Sequence, residues 1–310
     1  MLQRTEPSPS VPSRPSGSPP RTLVLLALAG VQVVFGTHYV AGKVVLEHIP
    51  ALPWAALRVT GAALLLLLLL GLRRERIPMD RHTVYRFTGF AVLGVVINQV
   101  CFMMGLSRTT AIHSSLINCS IPILTLVLAI LAGRERITPR RAAGFALALA
   151  GVLFLLRVWS FDPGSLLIRG DLITLVNSLS FSAFLVVSKP QLERMPALPA
   201  TCLLFVLGAP MVIALAAPGL AAMDFSVVPP LVWLLGAYII IFPTVLAYFI
   251  NYWALRHATS SLVAFFVYLQ PLVAATFAAV FLGEALTGHL VLSFLLVAAG
   301  IGLVAVQIRR

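Results

Sequence analysis

The sequence predicts an all-α membrane protein with ten transmembrane helices, built as two inverted five-helix repeats. Three observations lead to this fold class: a composition that suits a bilayer, ten apolar segments of spanning length, and residues that recur at a nearly constant offset. Of the 310 residues, 60% are hydrophobic and 10% are charged, and the mean hydropathy is +1.00. A soluble domain is about a quarter charged, so this composition excludes an ordinary soluble protein.

Residues 1–21 come first and are rich in Pro, Ser and Arg, without apolar periodicity. A segment of this composition buries too little apolar surface to fold, which predicts a disordered cytoplasmic tail. A plastid transit peptide, also rich in Ser and Arg, is an alternative interpretation of the same residues.

Ten apolar segments follow, each long enough to cross the roughly 30 Å of bilayer hydrocarbon. They cover residues 22–43, 53–72, 84–106, 110–132, 139–158, 171–189, 200–217, 229–254, 259–281 and 288–307. Two acidic residues mark helix starts, because a carboxylate there accepts hydrogen bonds from free backbone N–H groups. Asp80 precedes the third segment and Asp171 begins the sixth.

The basic residues orient the helices. If the N-terminus is cytoplasmic, 17 of the 22 Lys and Arg residues fall in inner loops and tails, four fall on the outer side, and Arg58 lies within a helix. Positive charge accumulates on the cytoplasmic side of membrane proteins. The net charge of +12 therefore indicates a topology with both termini cytoplasmic, and it does not indicate a partner nucleic acid.

An internal repeat links the two halves of the chain. Lys43, Glu47 and the Pro-Ala-Leu-Pro of 50–53 return 146 positions later as Lys189, Glu193 and the Pro-Ala-Leu-Pro of 196–199. Further along the offset is 149, and the pairs are Thr110 with Thr259, Pro122 with Pro271 and Glu135 with Glu284. A unit with an odd number of helices enters the membrane from the opposite side the second time, so we expect two inverted units, residues 22–158 and 169–308. Inverted repeats are typical of secondary transporters with inward-open and outward-open states.

Several of these residues also resemble a known family. Phe35-Gly36, Lys43, the tetrapeptide of 50–53 and Leu57-Arg58 are similar to the opening of EamA-type transporters of the drug/metabolite transporter superfamily. Asn98-Gln99, Ser120-Ile121-Pro122, Gly133-Arg134-Glu135, Gly170-Asp171, Gln270-Pro271 and Gly283-Glu284 resemble later parts of that pattern. The resemblance covers roughly residues 22–308. It implies a carrier of small organic solutes with a central cavity lined mainly by helices one, three, four, six, eight and nine.

Polar and aromatic residues inside the apolar segments are candidates for that cavity, because polar groups in hydrocarbon must face water or one another. The candidate substrate-binding residues are Gln32, Phe35, His38, Tyr39, Asn98, Gln99, His113, Asn118, Asn177, Phe181, Tyr248, Asn251 and Gln270. For the amides, an interhelical hydrogen bond that only holds the bundle together is an equally good interpretation. Pro122 and Pro271 each free a carbonyl in the preceding turn and permit a bend, so we expect them to act as gating hinges.

The ionisable residues within the segments are few. The titration range of His38 and His113 suits proton coupling or recognition of a carboxylate, with a structural hydrogen-bonding role as the alternative. Arg58 is expected to snorkel to the outer interface, and binding of a substrate carboxylate is its alternative role. All ten acidic residues are expected in tails, loops or helix ends, so no carboxylate proton relay is expected.

The sequence predicts a secondary transporter that exports small organic metabolites, amino-acid-like or amphipathic, across a bacterial inner or plasma membrane. Aromatic residues, few charges and scattered amides favour such solutes over polyphosphates. A lipid flippase and a membrane enzyme acting on a lipid-linked substrate are the alternatives. We predict no catalytic residue, metal or cofactor, since Cys101, Cys119 and Cys202 lie in apolar runs and fit neither a metal site nor a disulfide framework. The sequence does not distinguish a monomer from a homodimer.

Overall fold

A computed structural model describes residues 19–77, 80–134, 138–155 and 165–305. Within these ranges the chain is helical and forms no β-strand, which confirms the predicted all-α architecture. Most of the predicted tail, residues 1–18, lies outside the described residues. So do residues 156–158 and 306–308 at the predicted ends of the two repeats, and Glu135.

The helices coincide with the predicted apolar segments. They are α1 (Arg21–Leu46), α2 (Ala51–Leu72), α3 (Arg81–Leu106), α4 (Ala111–Leu131), α5 (Pro139–Leu155), α6 (Leu166–Leu192), α7 (Ala197–Ala221), α8 (Pro230–His257), α9 (Ser260–Phe281) and α10 (Gly288–Ala305). In the described ranges, eight of these are long and apolar enough to span a membrane, whereas α5 and α10 contribute shorter apolar stretches. A count of ten spans therefore stays a prediction.

The bundle carries its apolar residues outside and many polar residues inside. Leu64 on α2 is 63% exposed and Leu234 on α8 is 68% exposed, whereas Gln32, Asn98 and Asn177 are at most 7% exposed. Exposed apolar surface of this extent is rare on soluble monomers. Hydrocarbon accommodates it without cost and makes exposed polar groups expensive, so the distribution is that of an integral membrane protein.

The packing of the helices has a two-fold pattern. The most extensive contacts are α5 with α10, α2 with α7, α3 with α6, α1 with α9, α4 with α6, α1 with α8 and α4 with α9. This set of contacts stays the same when each helix of the first half is exchanged with its equivalent in the second half, α1 with α6, α2 with α7 and so on. The contact of α3 with α6, for example, becomes that of α8 with α1. An internal repeat whose two copies are related by a two-fold axis produces this pattern of contacts.

Equivalent helices are also interrupted at equivalent points. α3 and α8 each contain a π-helical segment, Val92–Ile97 and Ile240–Leu246. α4 breaks after Asn118, and α9 passes through a 3-10 turn at Phe266–Leu269. Pro122 and Pro271 lie in the first turn of the helical half that follows each break, where a missing N–H costs nothing. The prolines thus lie beside the breaks in α4 and α9, and their role as hinges stays a prediction.

One predicted helix start is wrong. Asp80 does cap α3, accepting a 2.9 Å hydrogen bond from Thr83 N, and its bonds with Thr83 lower the pKa of this carboxyl. Asp171 does not cap α6, which begins at Leu166 after Ser165. The apolar residues Leu166-Leu167-Ile168 extend the helix upstream by more than one turn, which places Asp171 inside it and buries its side chain.

Candidate functional site: a central cavity

A cavity of about 590 Å³ lies between the halves of the bundle. Its polar and aromatic lining consists of Gln32, Phe35, His38, Tyr39, Arg58, Asn98, Gln99, Phe102, Asn118, Asn177, Phe181, Tyr248, Asn251 and Gln270. Five aliphatic residues, Ile121, Leu185, Val263, Ala264 and Val267, complete it. These residues come from α1, α3, α4, α6, α8 and α9, with Arg58 from α2.

The structure brings together twelve of the thirteen predicted substrate-binding residues in this one cavity. His113 is the exception and lies nearer the end of α4. Phe102, one of the aromatic residues that the sequence offers as a further candidate, also lines the cavity; it lies one turn after Asn98 on the same face of α3. Contact of these residues with a substrate stays a prediction.

Eight of the lining residues form one continuous chain of hydrogen bonds. In the direction of donation, the chain runs Gln99, Tyr248, Asn98, Asn177, Asn118, Tyr39, Gln270, Gln32. The donor–acceptor distances lie between 2.5 and 2.9 Å. Every bond joins two different helices, and the chain connects six of them. The amides therefore do hold the bundle together, as one of the two interpretations of them expected.

Aromatic rings cover the walls beside this chain. Tyr248 lies edge-on to Phe35 and to Phe181, with ring centroids 6.3 Å apart in both pairs. Phe102 packs against Tyr39 at 5.4 Å and His38 at 5.1 Å. Such edge-to-face pairs are favourable and leave the cavity with apolar walls and a polar seam.

Arg58 does not snorkel to the interface. It is 1% exposed, and its Nε donates a 2.7 Å hydrogen bond to Thr244 Oγ1 on α8. The helix starts at Ala51, two residues before the predicted start, so Arg58 sits about two turns deep, roughly 10 Å along the helix. At that depth, inside the bundle, the side chain turns toward α8 and the cavity.

One end of the bundle holds a cluster of buried and partly buried polar groups, which we call the Asp171 cluster. His113 Nδ1 lies 3.1 Å from Asp171 Oδ2, and Thr109 Oγ1 donates to the other carboxylate oxygen. Glu284 accepts hydrogen bonds of 2.7 and 3.0 Å from the backbone N–H groups of Ala111 and Ile112. Because Asp171 lies inside α6 and is buried, the expectation that all acidic residues lie in tails, loops or helix ends is wrong for Asp171.

Close helix packing reinforces this end. A Cβ on Gly170 of α6 would lie 2.8 Å from the backbone of Arg108 and Thr109. A Cβ on Gly105 of α3 would likewise overlap Thr174. Only glycine permits these approaches, so the backbones of α3 and α6 meet directly beside the Asp171 cluster.

The opposite end holds a crevice. The described residues that line it include Arg21 and Leu25 of α1, Lys189 and Glu193 of α6, and Leu262 of α9, and its empty volume is about 1,340 Å³. Lys189 forms an ion pair of 2.8 Å with Glu193 and donates to the carbonyls of Leu255 and Ala258. The two ends of the bundle thus differ, although the contacts between the helices follow a two-fold pattern.

The three cysteines are free thiols. In the parts of the chain that the structure describes, no three His, Cys, Asp or Glu side chains come together in a way that suits a metal ion. The polar groups of the bundle are grouped instead in the hydrogen-bonded chain and at its two ends.

We predict that Asn118→Ala destabilises the protein by about 1–3 kcal/mol, because it leaves buried partners in two neighbouring helices unbonded. Asn118 accepts from Asn177 and Ser178 and donates to Tyr39. Asn251→Ala is the matched control, since Asn251 Oδ1 has no hydrogen-bond partner. The measurement is the free energy of unfolding of the purified protein in detergent. Equal losses for the two variants would contradict a structural role for the chain.

The chain was compared with known proteins. It matches the model of the EamA-like transporter family twice, over residues 22–157 and 168–306. It is 24% identical over 262 residues to the uncharacterized transporter YetK of Bacillus subtilis strain 168, an alignment that covers 84% of this chain and 79% of YetK. It is 23% identical to the uncharacterized transporter YoaV of the same organism, across 90% of this chain and 95% of YoaV.

A solved crystal structure shares the fold. It superposes with a TM-score of 0.70 at 17% sequence identity, over 93% of this chain and 99% of the solved one. The family match spans both halves of the bundle and most of its length, and the helices and the apolar surface agree with it. This integral membrane protein belongs to the EamA-like transporter family.

Proposed function

We propose that this protein is a secondary transporter that exports small organic solutes across the cell membrane by alternating access through the central cavity. The observation that carries the proposal is a cavity with walls from both halves of the chain, with a polar cluster at one end of the bundle and a crevice at the other. In this proposal ten helices span the membrane as two inverted repeats, residues 22–158 and 169–308, and both termini are cytoplasmic.

Two further observations support this mechanism. The pattern of contacts between helices is the same when the two halves are exchanged. Each half can therefore adopt the helix arrangement that the other half has in this structure. Breaks beside Pro122 in α4 and Pro271 in α9 supply points at which the two halves bend. If the two halves exchanged their arrangements, the end that holds the Asp171 cluster would open and the crevice would close. Alternating access requires such an exchange.

In this proposal the crevice faces the cytoplasm, because Arg21, Lys189, Arg194 and Arg256 lie at that end and positive charge accumulates on the cytoplasmic side. In this orientation the described conformation is inward-facing. The Asp171 cluster forms the outer barrier, and its side chains must separate before a solute exchanges with the outside.

We predict that purified protein in proteoliposomes moves at least one solute from a panel of amino acids, aromatic acids and hydrophobic amines. Val263→Phe, which fills the cavity, should lower that flux at least tenfold. Leu272→Phe on the exposed surface of α9 is the control for an added ring and should transport normally. Lipid scrambling without solute flux, or product formation from a lipid-linked substrate, would replace the transporter with a flippase or an enzyme. Wild-type flux in Val263→Phe would remove the cavity from the route.

The outer barrier also offers a site for proton coupling. His113 Nδ1 and Asp171 Oδ2 lie 3.1 Å apart, within hydrogen-bond distance, and Thr109 and the nearby Glu284 complete the polar groups of that end. Protonation changes the attraction between the imidazole and the carboxylate, and with it the stability of the closed barrier.

We predict that His113→Ala removes most of the pH dependence of uptake between about pH 5 and 8, the range in which histidine titrates. His82→Ala is the control and should retain the wild-type profile, because His82 is exposed at the start of α3 and lines neither the cavity nor the crevice. His38→Ala tests the cavity histidine in the same assay. An unchanged profile in the His38/His113 double variant would exclude both residues from coupling.

A further inference from the structure

Arg58 is a buried charge with a free hydrogen-bonding edge. Its Nε is used by Thr244, but Nη1 is buried and has no partner. A guanidinium carries five N–H groups in a planar fork. The bond at Nε leaves the edge formed by the two Nη atoms available, and this edge fits the two oxygens of a carboxylate.

Within the described residues, no acidic side chain that could act as a counter-ion for this charge lines the cavity. The buried Asp171 pairs with His113, and the partly buried Glu284 accepts hydrogen bonds from the backbone N–H groups of Ala111 and Ile112. An unpaired charge away from water is costly, so a bound anion would stabilise Arg58 as well as the anion itself.

Most of the other polar groups of the cavity bond one another. In the hydrogen-bonded chain from Gln99 to Gln32, every amide and every tyrosine hydroxyl has at least one partner within the chain. Three lining residues keep a buried polar atom without a partner: Arg58 at Nη1, His38 at Nε2 and Asn251 at Oδ1. Of these only Arg58 carries a permanent charge. The unmatched groups of the cavity therefore select a solute with one negative charge.

We propose that the cavity binds a solute made of one carboxylate and an apolar or aromatic body, with Arg58 as the counter-ion of the carboxylate. The rings of Phe35, Phe102 and Phe181 provide apolar surface for the body. A single guanidinium matches one carboxylate, whereas a phosphate dianion would need additional bases that the lining does not contain. This inference names the cargo class of the proposed transporter, on which it rests for its biological meaning.

The test is equilibrium binding to the purified full-length protein in detergent, measured as the shift in unfolding temperature caused by three probes with the same ring. 3-Phenylpropionate carries a carboxylate, 3-phenylpropionamide is neutral, and 3-phenylpropylamine is cationic. We expect a concentration-dependent rise in unfolding temperature with the carboxylate only. Equal shifts with the carboxylate and the amide, or no shift with the carboxylate at millimolar concentration, would overturn the inference.

Variants at position 58 assign the effect to the guanidinium. Arg58→Met should weaken binding of the carboxylate at least tenfold, and Arg58→Lys should give an intermediate loss, because an ammonium is a point charge without the planar fork. Arg58→Met should fold, and its unliganded form should be at least as stable as the wild type, since it removes an unpaired buried charge. Arg86→Met, which changes an exposed arginine outside the cavity, should bind like the wild type. Wild-type affinity in Arg58→Met would overturn the assignment.

Binding and flux separate this inference from the proposed function. Carboxylate binding that depends on Arg58 in a protein without solute flux would support the binding site and refute the transporter. Flux of neutral or cationic solutes together with no response to the carboxylate would support the transporter and refute the anion site.

Discussion

The chain of hydrogen bonds from Gln99 to Gln32 is the constraint on which the rest of the structure depends. Amide side chains inside a bundle that faces hydrocarbon have no water to bond, so they must find one another. Here they do so across six helices. This requirement fixes which helix faces turn inward, and those faces form the wall of the cavity. A scaffold that holds the bundle together is thus also the lining of the candidate site.

A fully bonded chain has a consequence for recognition. Groups that already bond one another have little left for a ligand, so the unmatched groups determine what the cavity selects. Arg58 is such a group, buried beside Thr244 with part of its fork unused. The aromatic walls contribute apolar contact area with little preference of their own. Selectivity in this cavity then comes from one charge placed among otherwise satisfied neighbours.

The sequence predicted the helices and most of the cavity lining because two strong physical signals control them. Spanning length identifies apolar helices, and the cost of a polar group in hydrocarbon marks Gln32, Asn98 and Asn118 as inward-facing. The repeat was visible because its Lys and Glu residues are rare in such a composition. These signals act along one helix or at one fixed offset, so they can be found without knowing which helices touch.

The errors arose where a residue's role depends on contacts between distant helices. The sequence predicts Asp171 as a helix cap because the predicted helix does not include the residues before it, whereas α6 begins at Leu166. The pairing of Asp171 with His113 is not evident from the sequence, because the two residues are 58 positions apart. Arg58 was expected at the interface because the residues around it in the sequence do not reveal its partner. That partner, Thr244, lies 186 positions away. A two-residue shift in the start of α2 was enough to change its expected position from the surface to the interior.

Alternating access of the central cavity is tested most directly by thiol labelling from each side of the membrane. Ala264→Cys places one thiol in the lining, in a protein whose Cys101, Cys119 and Cys202 have been replaced. A membrane-impermeant reagent is added outside intact cells, and in parallel to inside-out vesicles. We expect the thiol to react from both sides, faster from the cytoplasmic side. Adding Gly170→Leu to the Ala264→Cys protein should change the ratio of the two labelling rates, because the larger side chain prevents closure beside Asp171. Reaction from one side alone under every condition would contradict it.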